Sequence, residues 1–313
     1  MPCYKPLKAW RKKTLNDSGK RGITFRLQDG YQDMPVEIPC GQCIGCRLER
    51  SRQWAIRCVH EASQYENNSF ITLTYNNENL PEDWSLNKKH FQDFMKRLRK
   101  KNQHKKIRFF HCGEYGKNDK EDDPNEIGRP HYHACIFNHD FPDKELWSIR
   151  DGIPLYRSDE LEKLWPKGFS TIGDVTFESA AYVSRYITKK ITGDKAEEHY
   201  NHTNLETGET NKLEPEYTTM SRRPGIGRDW YDEFKDDVHP SDFLVIRGKK
   251  VRPPKYYDAL LEIEDEEEYK KIKAKRIKEA KKNKQENTRE RLDTKEKIKQ
   301  VQFKMLPRNI EDD

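Results

Sequence analysis

The spacing of apolar and polar residues along the chain predicts alternating strands and helices. Period-two or clustered β-favouring residues predict strands at residues 22–27, 69–75, 107–112, 128–137 and 169–177. Apolar residues three and four positions apart predict helices at residues 47–65, 87–101, 143–149, 159–165 and 178–191. Strands and helices are interspersed, and no glycine-rich phosphate motif joins them, so we expect a mixed α+β fold without an ATP-binding P-loop.

The flanking segments differ from this central part in composition. Residues 1–39 are basic and rich in turn-forming residues, and residues 193–216 are polar and predict a loop. Residues 243–246 and 249–252 flank Arg247-Gly248 and predict a hairpin. From Tyr257 onward Lys and Glu dominate, which predicts a long solvated helix. We therefore expect an N-terminal segment at 1–66, a central domain at 67–256 and a charged helical tail at 257–313.

Composition narrows the class of protein. Of the 313 residues, 33% are hydrophobic and 36% are charged, so part of the chain must be solvated rather than packed. The net charge of +6 is compatible with binding nucleic acid. No apolar run approaches the ~20 residues of a membrane span, and the start does not look like a signal peptide. We expect a cytoplasmic protein with no membrane partner.

Cysteines cluster near the N-terminus. Cys40, Cys43 and Cys46 form two overlapping C-x-x-C steps, and Cys3 is a natural fourth ligand for one tetrahedral Zn²⁺. Seven cysteines in total, an odd number, favour reduced thiols and metal over a disulfide framework. Unpaired thiols at a helix start are the alternative, and an iron–sulfur cluster lacks an accompanying redox motif.

Two histidines stand two residues apart on a predicted strand. His131 and His133 therefore point to the same face and present two imidazoles side by side. Two imidazoles with open positions for a third ligand, water and substrate form half of a divalent-metal site.

Two tyrosines stand four residues apart on the predicted helix about fifty residues later. Tyr182 and Tyr186 share one helix face, and Lys189 lies one turn beyond Tyr186. Such a pair is often a packing feature. Its combination with the two histidines of the preceding strand is much rarer.

These motifs resemble the HUH superfamily of single-strand DNA endonucleases. Within that superfamily the chain is similar to the two-tyrosine replication initiators of gokushovirus-type microviruses. Residues 70–75, 129–137 and 182–190 match the three family motifs, and the resemblance covers roughly residues 66–255. It implies an antiparallel sheet of about five strands with flanking helices, similar to an RRM.

The resemblance also implies an activity. It implies a rolling-circle nickase in which His131, His133 and Glu114, from the preceding strand, hold Mg²⁺ or Mn²⁺. Tyr182 or Tyr186, assisted by Lys189, attacks the DNA and forms a 5′-phosphotyrosine. The implied partners are single-stranded or supercoiled origin DNA and the replicative helicase and polymerase of the bacterial host, in whose cytoplasm the protein would act.

Basic residues near these motifs are candidates for DNA phosphate contacts. Arg129, Arg185 and Lys190 lie within the matched motifs. Residues 220–228 carry further arginines around two glycines, a composition that suits either a phosphate-binding loop or a structural turn. These arginines are Arg222, Arg223 and Arg228.

Three other classes of protein fit part of the pattern. A nucleotidyl hydrolase of the histidine-triad type expects a third histidine at position 135, where Cys135 stands. A non-catalytic, zinc-stabilised DNA-binding module needs the cysteines but not the histidines and tyrosines. A one-tyrosine transposase or relaxase of the same superfamily leaves one tyrosine dispensable.

Overall fold

The computed structural model describes most of the chain, with short gaps. The described residues are 3–17, 19–117, 127–150, 152–185, 190–191, 195–203, 207–282 and 284–305. The helices are α1 (Ile44–Ala62), α2 (Lys88–Lys101), α3 (Asp159–Leu164), α4 (Phe177–Arg185), α5 (Lys195–His199), α6 (Arg228–Ser241), α7 (Lys255–Glu264), α8 (Glu266–Lys282) and α9 (Arg289–Lys304). The strands are β1 (Leu7–Leu15), β2 (Arg21–Thr24), β3 (Gly30–Ile38), β4 (Asn68–Tyr75), β5 (Arg108–Lys117), β6 (Ile127–Phe137), β7 (Glu145–Arg150), β8 (Ile153–Arg157), β9 (Gly168–Gly173), β10 (Asn201–Thr203), β11 (Thr210–Lys212), β12 (Tyr217–Met220), β13 (Leu244–Ile246) and β14 (Lys249–Val251).

The described residues fall into two compact units. One combines the described residues up to Arg50 with residues 273–305, and the other is Ser51–Ile272. The domain boundaries expected from composition, after residues 66 and 256, stay a prediction.

The first unit contains a small antiparallel sheet with the strand order β2-β1-β3. The sequence predicted only one strand there, at residues 22–27. The prediction of turns for the rest of this segment was wrong. The reason is that β1 and β3 have little apolar alternation. Along β1, for example, Ala9 is the one buried position, and most of the others are exposed.

The second unit is built on a larger sheet, the main sheet. Within the described residues it has seven strands in the order β12-β5-β6-β4-β9-β8-β7, and every neighbouring pair is antiparallel. This confirms the predicted α+β class, with two more strands than the five expected. Helices cover both faces, because successive residues of the buried central strands point alternately to two apolar layers.

One layer lies beneath α2 and α3. Phe91, Phe94, Met95 and Leu98 of α2 pack on the main sheet around Tyr132, at the spacing that the sequence predicted. The Asn87 side chain caps α2 by accepting from the backbone N–H of Lys89.

The other layer lies beneath α4 and the part of α1 that belongs to this unit. Ala55 and Cys58 of α1 and Ala180 and Val183 of α4 pack against Phe70 of β4. This layer covers one end of the sheet face on which the histidines lie.

Several predicted elements need correction. Residues 143–149 were predicted as a helix but form β7, which pairs with β8 as a hairpin. The polar segment 193–216 was predicted as a loop but contains α5, β10 and β11. The tail is not one helix but α7, α8 and α9. The predicted hairpin after residue 242 is confirmed as β13 and β14, with Arg247 and Gly248 at positive φ.

A buried ion pair holds the loop before α6 in place. Arg108 and Glu61 form a salt bridge in which both side chains are 2% exposed. The other oxygen of Glu61 accepts the backbone N–H of Gly227 at 2.7 Å, and Arg108 donates to the carbonyl oxygen of Pro224 at 2.9 Å. Burying two charges is tolerated only when both are paired and hydrogen-bonded in this way.

We predict that Glu61→Gln lowers the free energy of unfolding by about 3–5 kcal/mol, because it leaves the Arg108 charge buried without its counterion. Urea denaturation measures the effect. The matched control is Glu267→Gln, since Glu267 pairs with Lys270 on an exposed surface. For the control we expect the free energy of unfolding to fall by about 0–0.5 kcal/mol. Equal losses of unfolding free energy in the two variants would show that the buried ion pair stabilises the fold no more than an exposed one.

Candidate metal centre

The register of two central strands brings three ligand-type side chains together. In the β5–β6 pair Glu114 lies directly opposite His131, and Cys112 lies opposite His133. The Oε1 atom of Glu114 is 2.8 Å from Nε2 of His131 and 2.8 Å from Nε2 of His133. The family resemblance implied that Glu114, from the preceding strand, joins the two histidines, and the pairing of β5 with β6 brings it to both imidazoles.

Each imidazole is oriented by a contact of its other nitrogen. Nδ1 of His133 lies 2.9 Å from the hydroxyl oxygen of Thr72, the cross-strand neighbour on β4. Nδ1 of His131 lies 3.1 Å from the backbone carbonyl oxygen of Arg129. Because a carbonyl oxygen only accepts, Nδ1 of His131 carries the proton, and Nε2 is the nitrogen available to a metal when the ring is neutral.

The residue between the two histidines fixes the strand from its other face. Tyr132 is buried, and its hydroxyl accepts the backbone N–H of Asn87 and donates to the Asn87 carbonyl oxygen, both at 3.0 Å. It also lies 2.7 Å from the hydroxyl of Tyr75 on β4. Tyr132 thereby links β6 to the start of α2, which restricts the backbone that carries both imidazoles.

The electrostatics favour a cation at this position. Burial by itself raises the pKa of Glu114, but His131 and His133 outweigh that effect and hold the pKa below its ordinary value. Glu114 therefore presents an ionised carboxylate inside the sheet face. The ligand atoms of Glu114, His131 and His133 all lie within 4.8 Å of one another. Two imidazoles and a carboxylate form a suitable set of ligands for a divalent transition metal or Mg²⁺.

Tyr182 lies directly beside this cluster. Its ring is 4% exposed and meets the His133 ring edge to face, with 5.0 Å between ring centroids. Helix α4 carries it, and a reciprocal capping box fixes the start of α4. Ser179 donates its N–H to the Thr176 hydroxyl at 3.1 Å, and Thr176 donates its N–H to the Ser179 hydroxyl at 2.8 Å.

The other residues of the tyrosine motif are only partly placed. Tyr186 and Lys189 lie outside the described residues, so their predicted positions stay predictions. The Arg185 guanidinium lies 5.9 Å from the centre of the Tyr182 ring. Lys190 follows beyond the described part of α4.

The candidate DNA-binding arginines have different environments. Arg129 donates to the Tyr75 carbonyl oxygen at 2.9 Å and to Asn77 at 2.6 Å, which fixes the loop after β4. Arg228 forms ion pairs with Asp232 at 2.7 Å and Glu264 at 2.8 Å, so acidic neighbours balance its charge.

Arg222 and Arg223 are exposed and line a cavity of about 750 Å³. Arg99, Lys105 and Lys106 line the same cavity, which makes it strongly basic. The backbone that follows Arg223 makes hydrogen bonds within the protein. Gly227 donates to Glu61, and the Ile226 carbonyl oxygen accepts from Arg57 at 2.9 Å. Part of the arginine–glycine segment is therefore held by hydrogen bonds within the protein, while Arg222 and Arg223 are exposed.

The four N-terminal cysteines come together in the first unit. The sulfur atoms of Cys3, Cys40, Cys43 and Cys46 lie within 4.8 Å of one another. Backbone N–H groups point at three of these sulfurs, at 3.3 Å for Cys3 and Cys40 and 3.4 Å for Cys43. Burial by itself raises the pKa of Cys43, but hydrogen bonds from the backbone N–H groups of Cys46 and Tyr4 and from the neighbouring thiols outweigh it and lower the pKa to about 7. Four sulfurs with a partly ionised thiol match a tetrahedral metal site.

Sequence reasoning missed two parts of the site's surroundings. Thr72, which orients His133, was recognised only as part of a strand. A cavity of about 320 Å³ on the same sheet face is lined by Thr72, Thr74, Phe169, Ser170 and Thr171 together with Trp147, Arg150 and Arg157. Trp147 and Arg150, three residues apart in the sequence, were a signal for it, but residues 143–149 were predicted as a helix.

Fold and site together define a mixed α+β protein with a His-Glu candidate metal centre beneath a tyrosine-bearing helix. The family described as "Replication-associated protein ORF2/G2P" matches residues 68–191. The chain is 34% identical to the replication-associated protein ORF2 of Spiroplasma virus 4, over 74% of this chain and 70% of that protein. It is 30% identical to the replication-associated protein VP4 of Bdellovibrio phage phiMH2K, over 82% of this chain and 76% of that protein.

A third relative is the replication-associated protein ORF4 of Chlamydia phage 1, which is 29% identical over 76% of this chain and 57% of that protein. No solved structure matches the chain. The chain belongs to the replication-associated protein family of these small viruses, which confirms the resemblance found in the sequence. Among the described helices, none is long and apolar enough to span a membrane.

We predict that Thr72→Val weakens binding of Mn²⁺ about 10- to 100-fold, because it removes the hydroxyl that orients His133 while keeping the shape of the side chain. Isothermal titration calorimetry measures the affinity. The matched control is Thr219→Val, since the Thr219 hydroxyl contacts Nδ1 of a different buried histidine, His111, at 2.7 Å. Unchanged affinity in the Thr72 variant would mean that this hydroxyl does not position a ligand.

Proposed function

We propose that this chain is a metal-dependent endonuclease of single-stranded DNA that initiates rolling-circle replication of a small phage genome. The main observation behind the proposal is the contact of one Glu114 oxygen with Nε2 of both His131 and His133, at 2.8 Å each, beside Tyr182. Membership of a replication-associated family supports the biological setting.

Each residue of the centre has a proposed role. His131, His133 and Glu114 hold Mg²⁺ or Mn²⁺. The ion, when bound, polarises the scissile phosphate and neutralises charge that develops on its oxygens. Thr72 and the Arg129 carbonyl oxygen keep the imidazoles oriented. The buried setting of Glu114 and His133 excludes water from one side of the centre.

The tyrosines supply the nucleophile. The phenol oxygen of Tyr182 or Tyr186 attacks phosphorus and loses its proton, a bond to the 5′-phosphate forms, and the 3′-oxygen leaves as a free hydroxyl. That 3′-OH primes replication. Because the phosphotyrosine conserves the energy of the phosphodiester, rejoining the strand needs no ATP. Lys189 lowers the cost of ionising the phenol, whose ordinary pKa is near 10.

The basic cavity around Arg222 and Arg223 provides a second contact with DNA in this proposal. It begins where β5 begins, whereas Glu114 lies six residues further along β5, roughly 20 Å away at about 3.3 Å per residue. Lys105, Lys106, Arg222 and Arg223 bind the phosphate backbone away from the cleavage site. Arg129, Arg185, Lys190 and Arg228 belong to the same proposed DNA surface, with Arg228 the weakest candidate because of its ion pairs.

The proposal implies several partners and a location. Single-stranded or supercoiled origin DNA is the substrate, and the host replicative helicase and polymerase provide unwinding and synthesis. The protein acts in the cytoplasm of the bacterial host. In the first unit, Cys3, Cys40, Cys43 and Cys46 bind one structural Zn²⁺ that takes no part in the chemistry.

We predict that His131→Ala and His133→Ala each reduce nicking at least 10³-fold, while binding to single-stranded DNA changes by less than about threefold, because phosphate contacts dominate affinity. Oligonucleotides that tile the genome encoding the chain are the substrates, with Mn²⁺ added. We expect Glu114→Gln likewise to reduce nicking while leaving binding to single-stranded DNA nearly unchanged.

The matched control for the histidine variants is His104→Ala, which removes an exposed imidazole in the same unit and keeps full activity. Undiminished nicking by either site variant after removal of metal by a chelator and addition of Mg²⁺ would contradict the assignment.

We predict that Tyr182→Phe and Tyr186→Phe each still form some covalent adduct with a cleaved oligonucleotide, whereas the double variant forms none. On the helical spacing that the sequence predicts for these two tyrosines, four residues advance the chain by about 6 Å on nearly the same face, and we expect either phenol to reach one phosphate in turn. Denaturing gels and mass mapping detect the adduct. If one single variant releases closed circles at the wild-type rate, its tyrosine is structural and the enzyme uses one nucleophile.

We predict one zinc per chain in the purified protein, and loss of that zinc with a lower melting temperature in Cys43→Ser. Elemental analysis measures zinc and iron together and so separates a zinc site from an iron–sulfur cluster. Cys58→Ala is the control, because Cys58 is buried in the other unit and lies outside the cluster. Zinc-free wild-type protein would exclude the site.

A further inference from the structure

A cavity lies on the main sheet beside the candidate metal centre. Its floor includes Thr72 and Thr74 of β4, and these residues are the cross-strand neighbours of His133 and His131. Thr72 belongs to both places, because its hydroxyl contacts Nδ1 of His133 at 2.9 Å. The next strand, β9, supplies Phe169 and Thr171 opposite Thr74 and Thr72. At about 4.8 Å per strand, the cavity begins within roughly 5–10 Å of the imidazoles.

The walls of the cavity carry exposed aromatic rings. Trp147 of β7 is 48% exposed and Phe169 is 58% exposed, although large aromatic residues are usually buried. Both rings line the same cavity. A volume of about 320 Å³ is at the small end of the range for small-molecule pockets, and it suits one flat ring system rather than a folded peptide.

Two arginines flank the Trp147 ring. The guanidinium carbons of Arg150 and Arg157 lie 5.8 Å and 5.4 Å from its centre. Arg157 also pairs with Glu162 at 3.1 Å but keeps its side chain 40% exposed. Aromatic rings together with guanidinium groups are the combination that binds unstacked bases and their phosphates in single-stranded nucleic acid.

From these observations we infer that the cavity is a nucleotide subsite. It holds one unstacked base of the single strand against Trp147 and Phe169, and Arg150 and Arg157 bind the adjoining phosphate. This inference rests on the proposed function for the identity of its ligand, single-stranded DNA. The base that it holds lies within about two nucleotides of the phosphate at the metal centre, so the β7–β8 hairpin sets the register of the strand.

Binding of a fluorescent dT12 oligonucleotide to the full chain, in EDTA so that no cleavage occurs, tests the inference. Trp147→Ala should weaken binding about 5- to 100-fold at every salt concentration, with no change in the dependence on salt, because it removes stacking but no charge. Arg150→Gln should reduce the slope of log affinity against log salt by about 0.7, because one phosphate contact is lost. Trp147→Tyr should retain most of the affinity.

Ile149→Ala is the matched control. Ile149 is 64% exposed on the same strand but does not line the cavity, so its truncation should leave binding unchanged. If Trp147→Ala binds dT12 within twofold of the wild type, the inference is wrong.

A second measurement needs no variant. A dT12 oligonucleotide that contains 5-iododeoxyuridine is crosslinked to the wild-type chain by light, and the modified peptides are mapped. Adducts at Trp147 or Phe169 support the subsite, whereas adducts found only elsewhere overturn it. The measurements distinguish failure of the subsite from failure of the endonuclease. Normal covalent adducts in the cleavage assay, without evidence of stacking at Trp147 or Phe169, would refute only the subsite. Stacking without any adduct in the cleavage assay would refute only the endonuclease.

Discussion

The antiparallel register between β5 and β6 is the constraint on which the rest of the site depends. It sets Glu114 opposite His131, and the period of two along a strand brings His133 to the same face. A slip of one residue in either strand would turn Glu114 or the histidines toward the opposite layer, beneath α2. The register is strongly specified because both faces of these strands are buried. Tyr132 adds to this by bonding to Asn87 on the other face.

The two faces of the main sheet differ in polarity. The face beneath α2 and α3 is an apolar core whose few polar groups, such as the hydroxyls of Tyr75 and Tyr132, bond to one another. The opposite face is apolar at one end, beneath α4, and polar where Glu114, the histidines and the threonines lie. Helix α4 places Tyr182 at the boundary between the two, so the proposed nucleophile packs directly against the ring of one proposed metal ligand, His133.

The main features of the site could be predicted from the sequence because they depend on local periodicity. His131 and His133 share a face on any strand, and the family resemblance supplied Glu114 from the preceding strand. The close approach of Cys3 to the other cysteines was inferred from zinc chemistry. The pairing of Thr72 with His133 was not predictable in this way, because it depends on which strand occupies the other side of β6.

The errors in the predicted secondary structure arise because strand pairing depends on neighbours that local spacing does not reveal. Residues 143–149 contain apolar residues at mixed spacings, and their strand is stabilised by pairing with β8, which local spacing does not reveal. Strands β1 and β3 are largely exposed and polar, so they lack the alternation that signals a half-buried strand. The helix predicted at 47–65 was nearly correct because several residues of its apolar face, among them Ala55, Ile56 and Cys58, are buried. The tail was harder to predict because few of its residues are buried.

We propose that Glu114, His131 and His133 hold one divalent ion at which a DNA phosphate is activated. Pulsed electron paramagnetic resonance of the full chain with Mn²⁺ and dT12 tests this most directly, because it detects nuclei bound to the ion. We expect couplings to two histidine nitrogens and to a DNA phosphorus on the same Mn²⁺, with one nitrogen coupling lost in His131→Ala. A Mn²⁺ ion coupled to phosphorus but to no histidine nitrogen would contradict it.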